Sequence, residues 1–206
     1  MPEHGFEDIE ATMKKAVAAF REANVPALPA GSLAVWARGG PETRHDLDFV
    51  VKPEDAERAL QALEDAGLKP ERPPEAWLFK AWDGEVLVDV IFEPRGLVVD
   101  DELMARAEER EVMAIGISLM ALEDVLVSKL MSLDEHSADY SQILLMTRTL
   151  RERIDWRDLR ARTSASPFAK AFFTLAEELS IAPRPGAAAP AEGTPARARV
   201  RVVEGG

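Results

Sequence analysis

The chain of 206 residues has no cysteine, only three histidines and one tyrosine, and no apolar run long enough to cross a bilayer. The missing thiols exclude disulfides, thiolate zinc sites and cysteine nucleophiles together. With His4, His45 and His136 as the only imidazoles, a histidine metal cluster is disfavoured as well. The opening Met1-Pro2-Glu3-His4 carries neither the basic nor the apolar region of a signal peptide, so a cytoplasmic protein without a membrane partner is expected. Positive charge is also scarce: 25 Lys and Arg stand against 37 Asp and Glu, a net charge of −12. That balance opposes wrapping nucleic acid through bulk electrostatics, which needs cationic side chains on phosphates. The deficit is uneven, since residues 1–147 carry a net −16 and residues 148–206 a net +4. The cluster Arg148, Arg151, Arg153, Arg157, Arg160 and Arg162 is therefore where an RNA backbone contact would be sought, and a solvated helix face is the plain alternative.

What is present is an ordinary globular composition, 47% hydrophobic and 30% charged, in a length suited to one α/β unit with a helical extension. Phe6, Ile9, Met13, Val17 and Phe20 are spaced for an amphipathic helix that ends before Asn24-Val25-Pro26. Val25 to Pro29 reads as a link, and Leu33 to Arg38 as two turns of helix closed by Gly39-Gly40-Pro41. Asp46 to Val51 is a strand, and Lys52-Pro53-Glu54-Asp55 opens a helix that stops at Gly67. Strands over Leu78–Trp82 and Val86–Phe92 flank an Asp83-Gly84 turn, a strong hairpin signal. A helix near Asp101–Glu109 and a short strand near Val112–Ile117 follow. Helical spacing then runs through Leu122–Leu133, Tyr140–Leu150, Trp156–Leu159 and Phe168–Leu179. The Pro/Ala/Gly-rich end reads as a flexible tail.

The informative stretch joins Gly31-Ser32 to Asp46-Leu47-Asp48-Phe49-Val50-Val51. Residues two apart on a strand point to one side, so Asp46 and Asp48 present both carboxylates to one spot while Leu47 faces the core. Two neighbouring acids repel, and a pair of Mg²⁺ ions is the economical compensation. Asp89 is a lone acid within Val86–Phe92, a strand that otherwise looks buried, and an isolated buried carboxylate calls for a partner or an ion. The bland reading is a glycine turn, a solvated strand end and one aspartate acting as a cap.

Together, Gly31-Ser32, Asp46-x-Asp48 and the later strand residue Asp89 resemble the DNA polymerase β-type nucleotidyltransferase superfamily. The resemblance implies a small mixed α/β (α+β) sheet flanked by helices and followed by a helical region. The expected division is an α/β core over residues 1–117, helices over 118–182 and a tail over 183–206. It also implies that Gly31 and Ser32 hold nucleotide phosphates at a helix start, that Asp46, Asp48 and Asp89 bind Mg²⁺, with Mn²⁺ able to substitute, and that Asp89 aids the incoming hydroxyl. Leu122-Glu123-Asp124-Val125-Leu126-Val127-Ser128-Lys129-Leu130, with Asp139-Tyr140 beyond, is similar to a motif of the AbiEii and MenT toxin group. That likeness implies nucleotide contacts from Lys129 and Asp139, tRNA 3′ ends as acceptor, and a cognate antitoxin. Their plain alternatives are a lysine snorkelling beside Val125, Leu126, Leu130 and Leu133, and an exposed helical acid.

Arg38 and Arg44 flank the motif and are placed to reach triphosphate; His45 precedes the acids, and Lys80 lies among Trp77, Phe79 and Trp82, which more often cover a sheet. Thr43-Arg44-His45-Asp46-Leu47-Asp48 also partly resembles a motif of the aminoglycoside nucleotidyltransferases, whose cationic acceptors would suit an acidic body. The expected reaction is NMP transfer from an NTP to an acceptor hydroxyl with release of pyrophosphate. The alternatives are a small-molecule acceptor or an inactive binding protein on the same fold.

Overall fold

The computed structural model describes residues 6–41 and 46–184. The expectations placed on His4, Arg44, His45 and the tail from residue 185 lie outside the described residues. The chain order is α1 (Phe6–Glu22), β1 (Ala27–Pro29), α2 (Gly31–Trp36), β2 (Asp46–Val51), a 3₁₀ turn (Pro53–Asp55) running into α3 (Ala56–Asp65), β3 (Lys69–Glu71), β4 (Leu78–Asp83) and β5 (Val86–Ile91). Then come α4 (Asp101–Ala105), β6 (Glu108–Val112), β7 (Ile115–Leu119), α5 (Leu122–Met131), α6 (Ser141–Leu150), α7 (Trp156–Arg162) and α8 (Pro167–Glu178). The fold is mixed α/β, as expected.

Five strands form one sheet in the order β1-β2-β5-β4-β3, with β2 and β5 parallel and the other neighbours antiparallel. Both edge strands carry a proline, Pro29 and Pro70, where the missing N–H interrupts no central ladder. The segment Val25–Pro29, expected as a link, thus contains β1, paired from Ala27↔Val51 to Pro29↔Phe49. β3 is equally short and was not expected.

The alternation of β2 and β5 divides the sheet. Leu47, Phe49, Val51, Val88 and Val90 point to one side and are buried with Met13, Val17 and Phe20 of α1 and with Ala59, Leu60 and Leu63 of α3. Phe20 meets Phe49 edge to face at 5.1 Å. On the other side, Val50 belongs to a second apolar cluster with Ala34 and Val35 of α2, Leu126 and Leu130 of α5, Met146 of α6, Leu159 of α7 and Phe172 of α8. The C-terminal helices therefore close over the half of the sheet that bears the acids.

A single strand was expected near Val112–Ile117, where the chain forms a hairpin instead. Its two-residue turn, Met113-Ala114, puts both residues at positive φ (50° and 63°) without the Gly or Asn that usually signals this geometry.

Candidate active site

The turn after β1 sets the site. Ala30 donates its N–H to the Asp48 carbonyl at 2.8 Å, and the chain then reverses through Gly31 at φ +51° into α2. A Cβ on Gly31 would lie 1.7 Å from Asp48 Oδ2, so glycine is required both by its backbone conformation and by the carboxylate lodged against its Cα. Ser32 follows in the same turn, half-buried.

In the parallel pairing of β2 with β5, Asp48 stands opposite Asp89. One carboxylate oxygen from each of Asp46, Asp48 and Asp89 lies within 4.8 Å of the others, a set that could hold a metal ion. The electrostatics are those of a site short of positive charge. Burial, with Asp46 and Asp89 adding repulsion, pushes Asp48 up to about 7, although the Lys129 and Lys80 ammoniums oppose the shift. Burial likewise raises Asp89, and Lys80 opposes it from 3.4 Å. Asp89 Oδ1 is buried and accepts no hydrogen bond from the described residues. Clustered hard oxygen donors, one of them an orphan, fit a hard divalent cation, whose charge would reverse the upward pKa shifts.

Above the acids, Gly31, Asp48 and Lys129 open onto a cavity of about 470 Å³. Val50, Ile91, Trp77 and Pro94 line it on the sheet side, and Val125, Ser128, Gln142 and Ile143 on the helical side. Asp139 also faces it; the Ser141 side chain, and then the Ser141 N–H, which donates to Asp139 Oδ1 at 2.8 Å, lower the pKa of that acid, and the N–H contact fixes the start of α6. Lys129 reaches the cavity because its helix is anchored elsewhere. Glu123 accepts the Asp155 N–H at 2.9 Å, and the fully buried Asp124 takes Arg106 at 3.1 Å together with Arg162. The acid pair that opens the α5 motif thus ties α5 to α4 and α7.

Two expectations need revision. Arg38, expected on triphosphate, is buried and spent on structure: it donates to the carbonyls of Ala34 (2.7 Å) and Met120 (2.8 Å) and pairs with Glu108 at 3.0 Å. Half of the arginine cluster is paired with acids within the chain. Arg151 pairs with Glu152, Arg160 with Glu177, and Arg162 with Asp124 and Asp158, while Arg153 donates to the Arg38 carbonyl. Arg148 and Arg157 take no acidic partner among the described residues.

Two site residues were undervalued in the sequence. Trp77, grouped with aromatics covering a sheet, is 43% exposed and lines the cavity. Lys80 sits opposite Asp89, because the hairpin turns through Gly84-Glu85 rather than Asp83-Gly84. A one-residue shift of the turn moves the cross-strand partner by two, from Leu87 to Asp89.

A family model described as "uncharacterised nucleotidyltransferase" matches residues 8–182. The chain belongs to this nucleotidyltransferase family. A search of curated proteins finds no match. Among solved structures, the chain is similar to ANT(2″)-Ia in complex with adenylyl-2″-tobramycin, at 17% identity and TM-score 0.57, over 82% of this chain and 98% of that one. The solution structure of the antibiotic-resistance factor ANT(2″)-Ia gives 16% identity and TM-score 0.60, over 84% and 98%. TM1012 from Thermotoga maritima gives 16% and 0.51, over 62% and 86%. At these identities the likeness establishes a shared fold. Family membership makes the protein a nucleotidyltransferase, with Asp46, Asp48 and Asp89 as the candidate carboxylate cluster.

Proposed function

We propose that this nucleotidyltransferase moves NMP from an NTP to a hydroxyl of a small, amine-bearing molecule and releases pyrophosphate. The observation that carries this reading is the cluster of three carboxylates, one of which, Asp48, lines together with Lys129 a cavity of about 470 Å³, a volume suited to small substrates. Asp46, Asp48 and Asp89 would hold Mg²⁺, two ions by the chemistry of the reaction, with Mn²⁺ as a substitute. A metal held there would supply polarisation of the α-phosphate and positive charge against the departing pyrophosphate. Lys129 and Ser32 bind phosphate oxygens, and Gly31 keeps the turn close enough for them to do so. Asp89 orients the acceptor hydroxyl and takes its proton as the oxygen attacks phosphorus. Trp77 and Ile91 offer flat apolar contact to the remaining ring of a substrate, and Asp139 a fixed negative charge.

Acceptor class rests on charge. The acidic body and the carboxylates at the cavity favour a cationic acceptor, and the fold is shared with a protein solved with adenylyl-2″-tobramycin. A tRNA 3′ end is the less favoured acceptor, because three of the six arginines that would meet RNA are paired with acids of the same chain and the chain as a whole is acidic. The test incubates the protein and Mg²⁺ with each α-labelled NTP, offering either a panel of aminoglycosides and related aminated sugars or total RNA. Label on an aminated small molecule is expected. Label on RNA alone would overturn the acceptor assignment, and no pyrophosphate with any NTP would point to an inactive protein on this fold.

A further inference from the structure

Lys80 is absent from the roles assigned above, yet its place in the sheet is unusual. The ladder pairs Asp48 with Asp89, Asp89 with Lys80, and Lys80 with Glu71, which sets four charged residues in one row across β2, β5, β4 and β3. Three are acids, and the single base lies between two of them. Lys80 Nζ stands 3.4 Å from Asp89 Oδ1, close enough for an ion pair, while that oxygen receives no hydrogen bond from the described residues. The lysine therefore neutralises Asp89 without saturating its lone pairs. Asp48 stands across Asp89 in the same row, so the same positive charge faces it at longer range. Glu71 faces Lys80 from the other side, but Glu71 Oε2 already accepts the Trp82 indole N–H at 2.8 Å.

We infer that Lys80 is a positioning residue, a tethered counter-cation that holds the three carboxylates together before the metal arrives and competes with the metal for Asp89. The inference rests on the metal-site reading of Asp46, Asp48 and Asp89. A fixed positive charge beside a ligand oxygen makes metal binding weaker than the bare acids would allow. It also lessens the repulsion that an empty triad would otherwise suffer. The site is thereby kept assembled in metal-free protein, with a metal affinity set low enough for release. The lysine's contribution is electrostatic.

The test is a titration of the full chain with Mn²⁺ alone at pH 8, free ion being read by electron paramagnetic resonance, with thermal unfolding measured in chelator and in Mn²⁺. Lys80→Met is expected to bind Mn²⁺ roughly five- to tenfold more tightly than the natural protein, the effect of removing one charge near the ion. In chelator it should unfold at a lower temperature, and Mn²⁺ should restore more of the loss than it adds to the natural protein. Lys80→Arg keeps the charge and should bind Mn²⁺ like the natural protein, which preserves a readout should Lys80→Met fold poorly. Equal Mn²⁺ affinity in the natural and Lys80→Met proteins, or weaker binding in the variant, would overturn the role of Lys80. Tighter binding by Lys80→Arg would overturn its electrostatic basis. No Mn²⁺ binding by the natural protein would instead remove the metal-site reading beneath it.

Discussion

The two faces of strands β2 and β5 are made by alternate residues of the same dozen positions, yet they do opposite things. On one face Leu47, Phe49, Val88 and Val90 are wholly removed from water and pack on α1 and α3. On the other, Asp46, Asp48 and Asp89 crowd their carboxylates together, Asp48 lining the cavity, with burial and repulsion between the acids raising the pKa of Asp48 and Asp89. The first face supplies stability, and the second consumes part of it to keep like charges together. A strand does both because its side chains alternate. The rigid apolar face fixes the backbone, and the backbone places the acids.

Substitutions that treat the two faces separately should break this contrast. The largest effect is expected from Asp48→Asn, which removes one of the three clustered carboxylates proposed to hold the metal. Nucleotidyl transfer should fall by about 10³-fold or more, the loss of several kcal/mol of metal-mediated stabilisation, measured as pyrophosphate release under saturating NTP. Phe49→Ala is its counterpart on the dry face and should cost about 3–5 kcal/mol of stability in a denaturant titration, while the fraction that stays folded still binds metal. Gly31→Ala strikes the junction of the two. Its methyl group would meet the Asp48 carboxylate at 1.7 Å, so metal affinity should drop together with a loss of roughly 1–3 kcal/mol in stability. The smallest effect is expected from Trp77→Ala, a rise in KM of roughly five- to tenfold with little change in kcat, as suits a contact made equally in ground and transition states.

The acidic face should also respond to pH in a definite direction. Asp48 is raised from 3.8 to about 7 in the fold, so its contribution to stability is fully present below about pH 4 and is lost as pH rises towards 7. Metal-free protein should therefore lose stability across that window, and Asp48→Asn should flatten the loss, which denaturant titrations at a series of pH values will check.

The acidic motif was legible in the sequence because it combines chemistry with period. Asp46-Leu47-Asp48 leads into Phe49-Val50-Val51, and acids alternating with core residues leave few placements. The long helices were legible for the same reason. What escaped depends on partners far away in the chain. Arg38 looks like any loop arginine until the carbonyl of Met120, 82 residues on, is seen to accept from it. Lys80 faces Asp89 only if the turn falls on Gly84-Glu85, and a shift of one residue there changes the partner. The β6–β7 hairpin hid behind Met113-Ala114, which has left-handed geometry without a left-handed sequence. β1 and β3 are three residues each and contain proline, so their own propensity argues against them, and only the neighbouring strands create them.

The most direct test of the central claim, that the acids of β2 and β5 form a metal site held against its own repulsion, is thermal unfolding of the natural protein and Asp48→Asn at pH 8, in chelator and in Mg²⁺ or Mn²⁺. In chelator the variant should be the more stable of the two, by on the order of 2 kcal/mol, since it removes a half-buried charge that Lys129 and Lys80 only partly offset. Adding metal should raise the unfolding temperature of the natural protein and leave the variant nearly unchanged. A variant less stable than the natural protein in chelator, with an equal rise on adding metal, would contradict the account.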